Sequence, residues 1–265
     1  MDSSDLRLEL ISFPAKEKRS STPLLFIHGG FHSAWCWSDH FMPWFGAHGF
    51  DSFAISLRDH GSSRRTARDA DWRLHDYVDD VRWAVRQIEG KPILIGHSLG
   101  GSIAQKVAAV EAFPGMILLA PSPIGGSNRA ALRMMLTNPK AMWNALAKKD
   151  MALALPAFLN FFLSTEMPAK QRDHIVGHLN GLTSFSAAID AFFKDPPKPR
   201  LTNMPVLVVA GEKDWSIPRY KNLSLANAYG GQLIDVPTAH DIMLDIHWEI
   251  AANQILDWLN PQFVR

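Results

Sequence analysis

Ser98 stands in the run Gly96-His97-Ser98-Leu99-Gly100, with a glycine two positions to either side and an apolar segment, Pro92 to Ile95, leading into it. A serine hydroxyl alone is a poor nucleophile. To attack a carbonyl it needs a base for its proton, an acid to orient that base and donors for the oxyanion. The flanking glycines allow a sharp strand-to-helix turn with the serine oxygen exposed. A helix starting there aims its unpaired N–H groups and positive dipole end at the same point. The N–H of Leu99 is therefore one expected oxyanion donor. The segment 24-LLFIHGGFHSAWCW-37 supplies the second: a strand, a glycine pair and then a helix bring the N–H of Gly30 opposite Leu99. Two further apolar runs end beside titratable residues, 206-VLVVAGEKDWSIP-218 with Asp214 and 233-LIDVPTAHDIMLD-245 with His240. The expected roles are Ser98 as nucleophile, His240 as base and Asp214 as the acid that orients it.

Other residues compete for these roles. The chain holds eleven histidines. His97 adjoins Ser98 but, as its neighbour on the turn, points away from the serine oxygen, so it is counted with the pocket rather than as a base. His28 opens the His-Gly-Gly turn and supports the oxyanion loop. His174 and His178 stand four apart on a helical stretch without an acidic third ligand at metalloprotease spacing, so no metal is expected. Glu212 and Asp241 are rival acids; Asp214 is preferred because it lies past the strand end, just before Ile217-Pro218, whereas Asp241 adjoins His240. Cys36 has no base placed for it and reads as a small buried apolar residue. Phe31, His97 and Trp215, with Phe158 and Phe162, are the candidate substrate-binding residues. The Met134-Met135 and Phe192-Phe193 pairs also favour an apolar acyl or alkyl group.

These residues need elements to hold them. Strand patterns run from Leu6 to Ile11, Leu24 to Ile27, Ser52 to Leu57, Pro92 to Ile95, Met116 to Ala120, Val206 to Ala210 and Leu233 to Val236. The later ones are continuously apolar, as in strands covered on both faces. Helical patterns alternate with them: Tyr77 to Ile88, whose apolar stripe is Tyr77, Val81, Ala84, Val85 and Ile88; Leu99 to Glu111; and His247 to Leu259, ending before Pro261. The alternation predicts an α/β fold, a mostly parallel, doubly wound sheet. Between Pro121 and Pro205 the rhythm fails. Helical patches there (Arg129 to Leu136, Lys140 to Leu146, Pro156 to Leu163, Ala169 to Leu179) read as a cap inserted before the penultimate strand. The expected division is residues 1–121 and 204–265 as core and 122–203 as helical cap, with 195-DPPKPR-200 as the return linker.

The order Ser98, Asp214, His240 along these strands resembles the α/β-hydrolase fold superfamily from about Pro23 to Leu259. The resemblance implies a serine esterase acting through an acyl-enzyme, with His60 in 57-LRDHGSS-63 fixing a neighbouring loop beside Arg58 and Asp59. Some relatives carry the acid after the preceding strand, but 118-LLAPSPIGG-126 has no carboxylate. The 24–37 segment is also similar to plant methylesterases and hydroxynitrile lyases. Thioesterase, lactonase and lyase-like or other cofactor-free chemistry are the alternatives, with a non-catalytic small-molecule receptor behind them.

Composition narrows the rest. With 265 residues, 47% of them hydrophobic, the chain can bury a large core. A net charge of +1 gives no argument for nucleic acid, and the mixed Arg64, Arg65, Arg68, Asp69, Asp71 cluster reads as a solvated loop. One cysteine excludes an intrachain disulfide and fits a reducing, cytoplasmic setting. The acidic N-terminus lacks a signal-peptide layout, and no apolar run reaches spanning length. No nucleotide motif appears, and no cofactor is expected. The expected partner is a small-molecule ester, with a homodimer as an open option.

Overall fold

The computed structural model describes residues 7–63, 72–122, 128–179 and 183–264. Its seven strands are β1 (Glu9–Phe13), β2 (Leu24–Ile27), β3 (Ser52–Ser56), β4 (Ile93–His97), β5 (Met116–Leu119), β6 (Val206–Gly211) and β7 (Gln232–Val236). They form one sheet in the order β1-β3-β2-β4-β5-β6-β7. Only β1 runs antiparallel, pairing Leu10 with Ile55 of β3; every other neighbour is parallel. Every residue of β2, β4, β5 and β6 is buried, as strands covered on both faces must be. The edge strands β1 and β7 are only partly covered.

Side-chain alternation along the strands divides the core into two layers. Leu24 and Phe26 face a cluster built on α1 (Trp35–Ser38) and α2 (Phe41–Ala47), where Phe26 and Trp37 lie 5.0 Å apart between ring centres. Leu25 and Ile27 face the opposite layer, with Val81 of α3 (Leu74–Gln87) and Ile103 of α4 (Leu99–Ala108). Each such fully buried side chain contributes about 1.5–3 kcal/mol of transfer free energy.

Between β5 and β6 lie α5 (Asn128–Thr137), α6 (Pro139–Lys148), a 3₁₀ turn (Met151–Ala154), α7 (Leu155–Phe162), α8 (Ala169–His178), α9 (Phe185–Ile189) and a π-helical turn (Asp190–Lys194). No strand occurs among the described residues of this segment. Its far end is fastened to the body of the protein. Arg73 grips Asp190 through two bonds of 2.6 Å, and this contact holds the Asp190 carboxyl below its ordinary range. Ser184 donates its hydroxyl to the Trp72 carbonyl and its N–H to the Tyr77 oxygen, while Lys106 pairs with Asp195 at 2.5 Å. After β6 come α10 (Arg219–Tyr229) and α11 (Trp248–Phe263), the latter in the same layer as α1 and α2.

Two sequence expectations shift. The first strand begins at Glu9 and reaches Phe13; Leu6 lies outside the described residues, as do the Arg64 to Asp71 cluster and residues 123–127. The last helix does not stop before Pro261 but carries it inside and ends at Phe263. Proline there removes the N–H that would bond the Asp257 carbonyl, and the helix still continues to Phe263, whose ring meets Trp258 at 6.1 Å. The short α9 and the π-helical turn have no counterpart among the expected helices. Among the described residues no helix is long and apolar enough to cross a membrane.

Candidate active site

All the proposed reactive residues follow the C-terminal ends of parallel strands, at the edge of the sheet where an open α/β fold leaves its crevice. Ser98 links β4 to α4 with φ 50° and ψ −114°, a conformation that a non-glycine residue keeps only when its surroundings enforce it. The enforcement is visible in the backbone. Ser98 N–H donates to the Leu119 carbonyl at 3.0 Å, while its own carbonyl accepts from Gly101 and Ser102. A Cβ on Gly96 would come within 2.5 Å of the Gly100 carbonyl oxygen, and one on Gly100 within 2.3 Å of the Ile27 oxygen. Helix α4 therefore approaches the end of β2 more closely than any side chain permits. Gly100→Ala is expected to destabilise the protein by about 1–3 kcal/mol or more and to lower activity with it. Denaturant unfolding checks this; an unchanged midpoint would contradict it.

Asp214 and His240 follow the adjacent strands β6 and β7. Four donors converge on the Asp214 carboxylate. Oδ1 accepts from the Ser216 N–H (2.8 Å), the Ser216 hydroxyl (2.5 Å) and the Ile217 N–H (3.2 Å); Oδ2 accepts from Nδ1 of His240 at 2.7 Å. That bond puts the ring proton on Nδ1 and leaves Nε2 with the lone pair. Full burial alone would depress the basicity of His240, but the charge of Asp214 and their hydrogen bond outweigh it and raise its pKa. Phe162 stacks on the imidazole at 5.7 Å with 12° between planes, and its carbonyl accepts from Asp241 N–H. Ser98 is partly exposed, and it and His240 border one cavity.

Glu212, the rival acid, is exposed. Asp241 turns the other way and makes a second buried pair, Oδ2 to Nε2 of His32 at 3.1 Å. The other ring nitrogen of His32, Nδ1, lies 2.8 Å from the Gly30 carbonyl oxygen, so the ring bridges the Gly30 loop and Asp241. The charge of His32 and its hydrogen bond outweigh burial and keep the Asp241 carboxyl below its ordinary range. His97 donates Nε2–H to the His240 carbonyl at 3.1 Å; burial and the neighbouring His240 push its pKa down to about 3. Thus one buried cluster ties the Gly30 loop, the Ser98 turn and the His240 loop together. His32 carries no signal in the sequence, because a histidine two residues past a glycine pair has no distinguishing pattern. Ser216, two residues after Asp214, carries a readable signal, the spacing of an Asx turn.

The other histidines support loops. His28 accepts from Leu57 N–H at 3.0 Å through Nε2 and donates Nδ1–H to Gly29. His60 donates to the Arg58 carbonyl and accepts from the Thr183 hydroxyl, which itself accepts from Phe31 N–H at 2.8 Å. Burial holds His60 down at about 4. Arg58 is clamped on Asp80, with a shortest bond of 2.6 Å. Cys36 is fully buried and its thiol pKa is pushed well up by that burial. Donor atoms of His97, His240 and Asp241 lie within 4.8 Å of one another. His97 Nε2 and Asp241 Oδ2 are already bonded within the protein, while among the described residues His97 Nδ1 and Asp241 Oδ1 have no hydrogen-bond partner. The His178 Nδ1 is likewise engaged by the His174 carbonyl.

The cavity holds about 930 Å³ free of protein atoms, its open mouth included. Its only polar lining residues among those described are Ser98, Ser216 and His240. The walls are Met134, Met135, Met142, Met151 and Phe158, with Phe185, Phe192 and Phe193 from the α9 end. Of the five expected substrate-binding residues, Phe158 lines this space. Phe31 and Phe162 stand behind it, 4.9 and 5.5 Å from the Phe158 ring, because Phe31 has φ 68° and turns into the core. His97 is buried under the His240 loop, and Trp215 carries the Arg133 guanidinium at 4.0 Å on its face.

A sequence profile of the alpha/beta hydrolase family matches residues 24–251. Comparison with curated proteins returned no match. Among solved structures, an esterase from Exiguobacterium antarcticum superposes with a TM-score of 0.73 at 16% identity, covering 96% of each chain. A soluble variant of monoglyceride lipase from Saccharomyces cerevisiae, in complex with a substrate analogue, gives 0.74 at 16% identity over 100% of this chain and 94% of the other. Est816, described as an N-acyl homoserine lactone degrading enzyme, gives 0.71 at 19% identity, covering 97% and 98%. At these identities the likeness is one of fold.

Proposed function

From the premise that the chain belongs to the alpha/beta hydrolase family, we propose that it is a serine hydrolase of carboxylic esters with an apolar acyl or alkyl chain. The observation that carries the reading is the 2.7 Å His240–Asp214 bond beside a cavity that Ser98 shares. In the proposed cycle His240 Nε2 takes the Ser98 proton as the oxygen attacks the carbonyl. The N–H groups of Gly30 and Leu99 receive the oxyanion. His240 then protonates the leaving alcohol, and water, activated by the same nitrogen, releases the acid. Asp214 keeps the proton on Nδ1 and stabilises the imidazolium. The apolar walls favour a neutral, hydrophobic chain, since a charged substrate group would lose its hydration there without a partner. A lyase reading wants a lysine beside the serine, and none is among the described lining residues.

The test is a burst experiment with p-nitrophenyl esters of increasing acyl length. A stoichiometric first release of nitrophenol, a matching acyl adduct on the Ser98 peptide and a preference for longer chains are expected. Steady release with no acyl adduct trapped on Ser98 would refute the acyl-enzyme.

The raised pKa of His240 fixes the pH profile. The ring must be neutral to accept a proton, and protonation sets in at higher pH than for a solvated histidine. kcat/KM should therefore fall on the acid side with a midpoint above 6.5, histidine's ordinary value. A midpoint below that value would contradict the assignment.

A further inference from the structure

Helices α5 and α6 are apolar on both sides. Inward, Met134, Met135, Met142, Ala145 and Leu146 line the cavity. Outward, Leu132 is 61% exposed, Leu136 72% and Trp143 69%, large apolar groups gathered on two consecutive helices. Leu132 and Leu136 are four apart and share one face. Large apolar side chains exposed near one another mark an interaction surface.

Charge indicates what covers it. From Asn128 to Lys149 the sequence has five cations (Arg129, Arg133, Lys140, Lys148 and Lys149) and no carboxylate. The whole chain carries only +1, so the remaining residues sum to −4. Indeed no acid occurs between Glu111 and Asp150. Lys140, Lys148 and Lys149 are exposed, and no salt bridge to them occurs among the described residues. Exposed Leu and Trp set among lysines without carboxylate partners are the composition of a helix that lies in the interface of an anionic bilayer.

We propose that the outer face of α5 and α6 docks on an anionic lipid surface. Leu132, Leu136 and Trp143 enter the acyl boundary while Lys140, Lys148 and Lys149 meet the headgroups. Leu146 and Phe193 line the cavity and are themselves 44% and 46% exposed, which puts the cavity's mouth beside this face. An apolar molecule leaving the bilayer then reaches the cavity without crossing water. This surface stands whether or not the ester chemistry does.

The full chain is sedimented with extruded vesicles of phosphatidylcholine alone and of phosphatidylcholine with phosphatidylglycerol. Binding to the mixed vesicles is expected, with little to phosphatidylcholine and release by salt. Leu136→Glu with Trp143→Glu, and separately Lys140→Glu with Lys148→Glu and Lys149→Glu, should weaken binding by about tenfold or more. Both variants should keep wild-type circular dichroism and turnover of a soluble short-chain ester; if that ester is not cleaved by any form, the vesicle result still decides this proposal. Equal binding to both vesicle types, no binding, or binding that the variants leave intact would overturn it. So would self-association in sedimentation velocity that the Leu136/Trp143 variant abolishes, for the face would then be covered by a second copy.

Discussion

Ser98→Ala is expected to reduce ester turnover by roughly 10⁴- to 10⁶-fold while leaving the protein folded. The substitution removes one oxygen from a partly exposed position and leaves the backbone bonds of the turn, to Leu119, Gly101 and Ser102, in place. Alanine suffers the same positive φ that serine already tolerates, so the turn gains no new strain of consequence. The cavity and the proposed oxyanion donors remain, so a substrate should still bind, and the loss should appear in kcat rather than in KM. Rates on a p-nitrophenyl ester, fluorophosphonate labelling and a denaturation midpoint together make the check. Labelling and turnover should vanish with the midpoint unchanged. A variant that retained either would remove Ser98 from the mechanism, and with it the reading of the whole site.

Asp214→Asn comes next, with an expected fall in kcat of about 10⁴-fold. The amide is isosteric, and its oxygen can keep the three bonds from Ser216 and Ile217 that hold the loop. Its NH₂ group then faces Nδ1 of His240, where the carboxylate oxygen now accepts at 2.7 Å. A donor against a donor drives the ring proton to Nε2, the nitrogen that must take the serine's hydrogen, and the imidazole loses its stabilising charge. Stability should change little by comparison. A decrease of only about tenfold, read from kcat in steady state, would mean that the carboxylate merely packs beside the ring and that another group orients it.

How far the chain discloses itself in sequence depends on range. Burial on both faces makes the central strands continuous apolar runs, so β2 is legible at its true ends, Leu24 and Ile27. Ser98, Asp214 and His240 are legible because each follows such a run in the loop where a parallel sheet opens. What escapes is decided by contacts between distant segments. The continuation of α11 through Pro261 depends on packing of Trp258 and Phe263, which overrides a local stop signal. The His32–Asp241 pair joins residues 209 positions apart, and no local pattern announces it. Residue type alone places Phe31 and Phe162 in the pocket; which side of Phe158 each occupies follows from the positive φ at Phe31 and the stacking of Phe162 on His240. In the β5–β6 segment, α5 through α8 overlap the expected helical patches, while α9 and the π-helical turn are each only five residues long and carry too few turns to show a period.

The sheet's asymmetry has a bearing on durability. The strand that presents His240, β7, is the outermost one: it has a single neighbour, β6, and only its last residue is buried. The strand beneath Ser98 is hemmed in on both flanks and wholly covered. Fraying begins where hydrogen-bonded ladders end and the water side is open. Under mild heat or denaturant the proposed base would therefore drift from its post while the nucleophile stayed in place. Catalytic competence would decay ahead of the bulk helical signal, and a gentle return to native conditions would recover it, since the interior had never come apart.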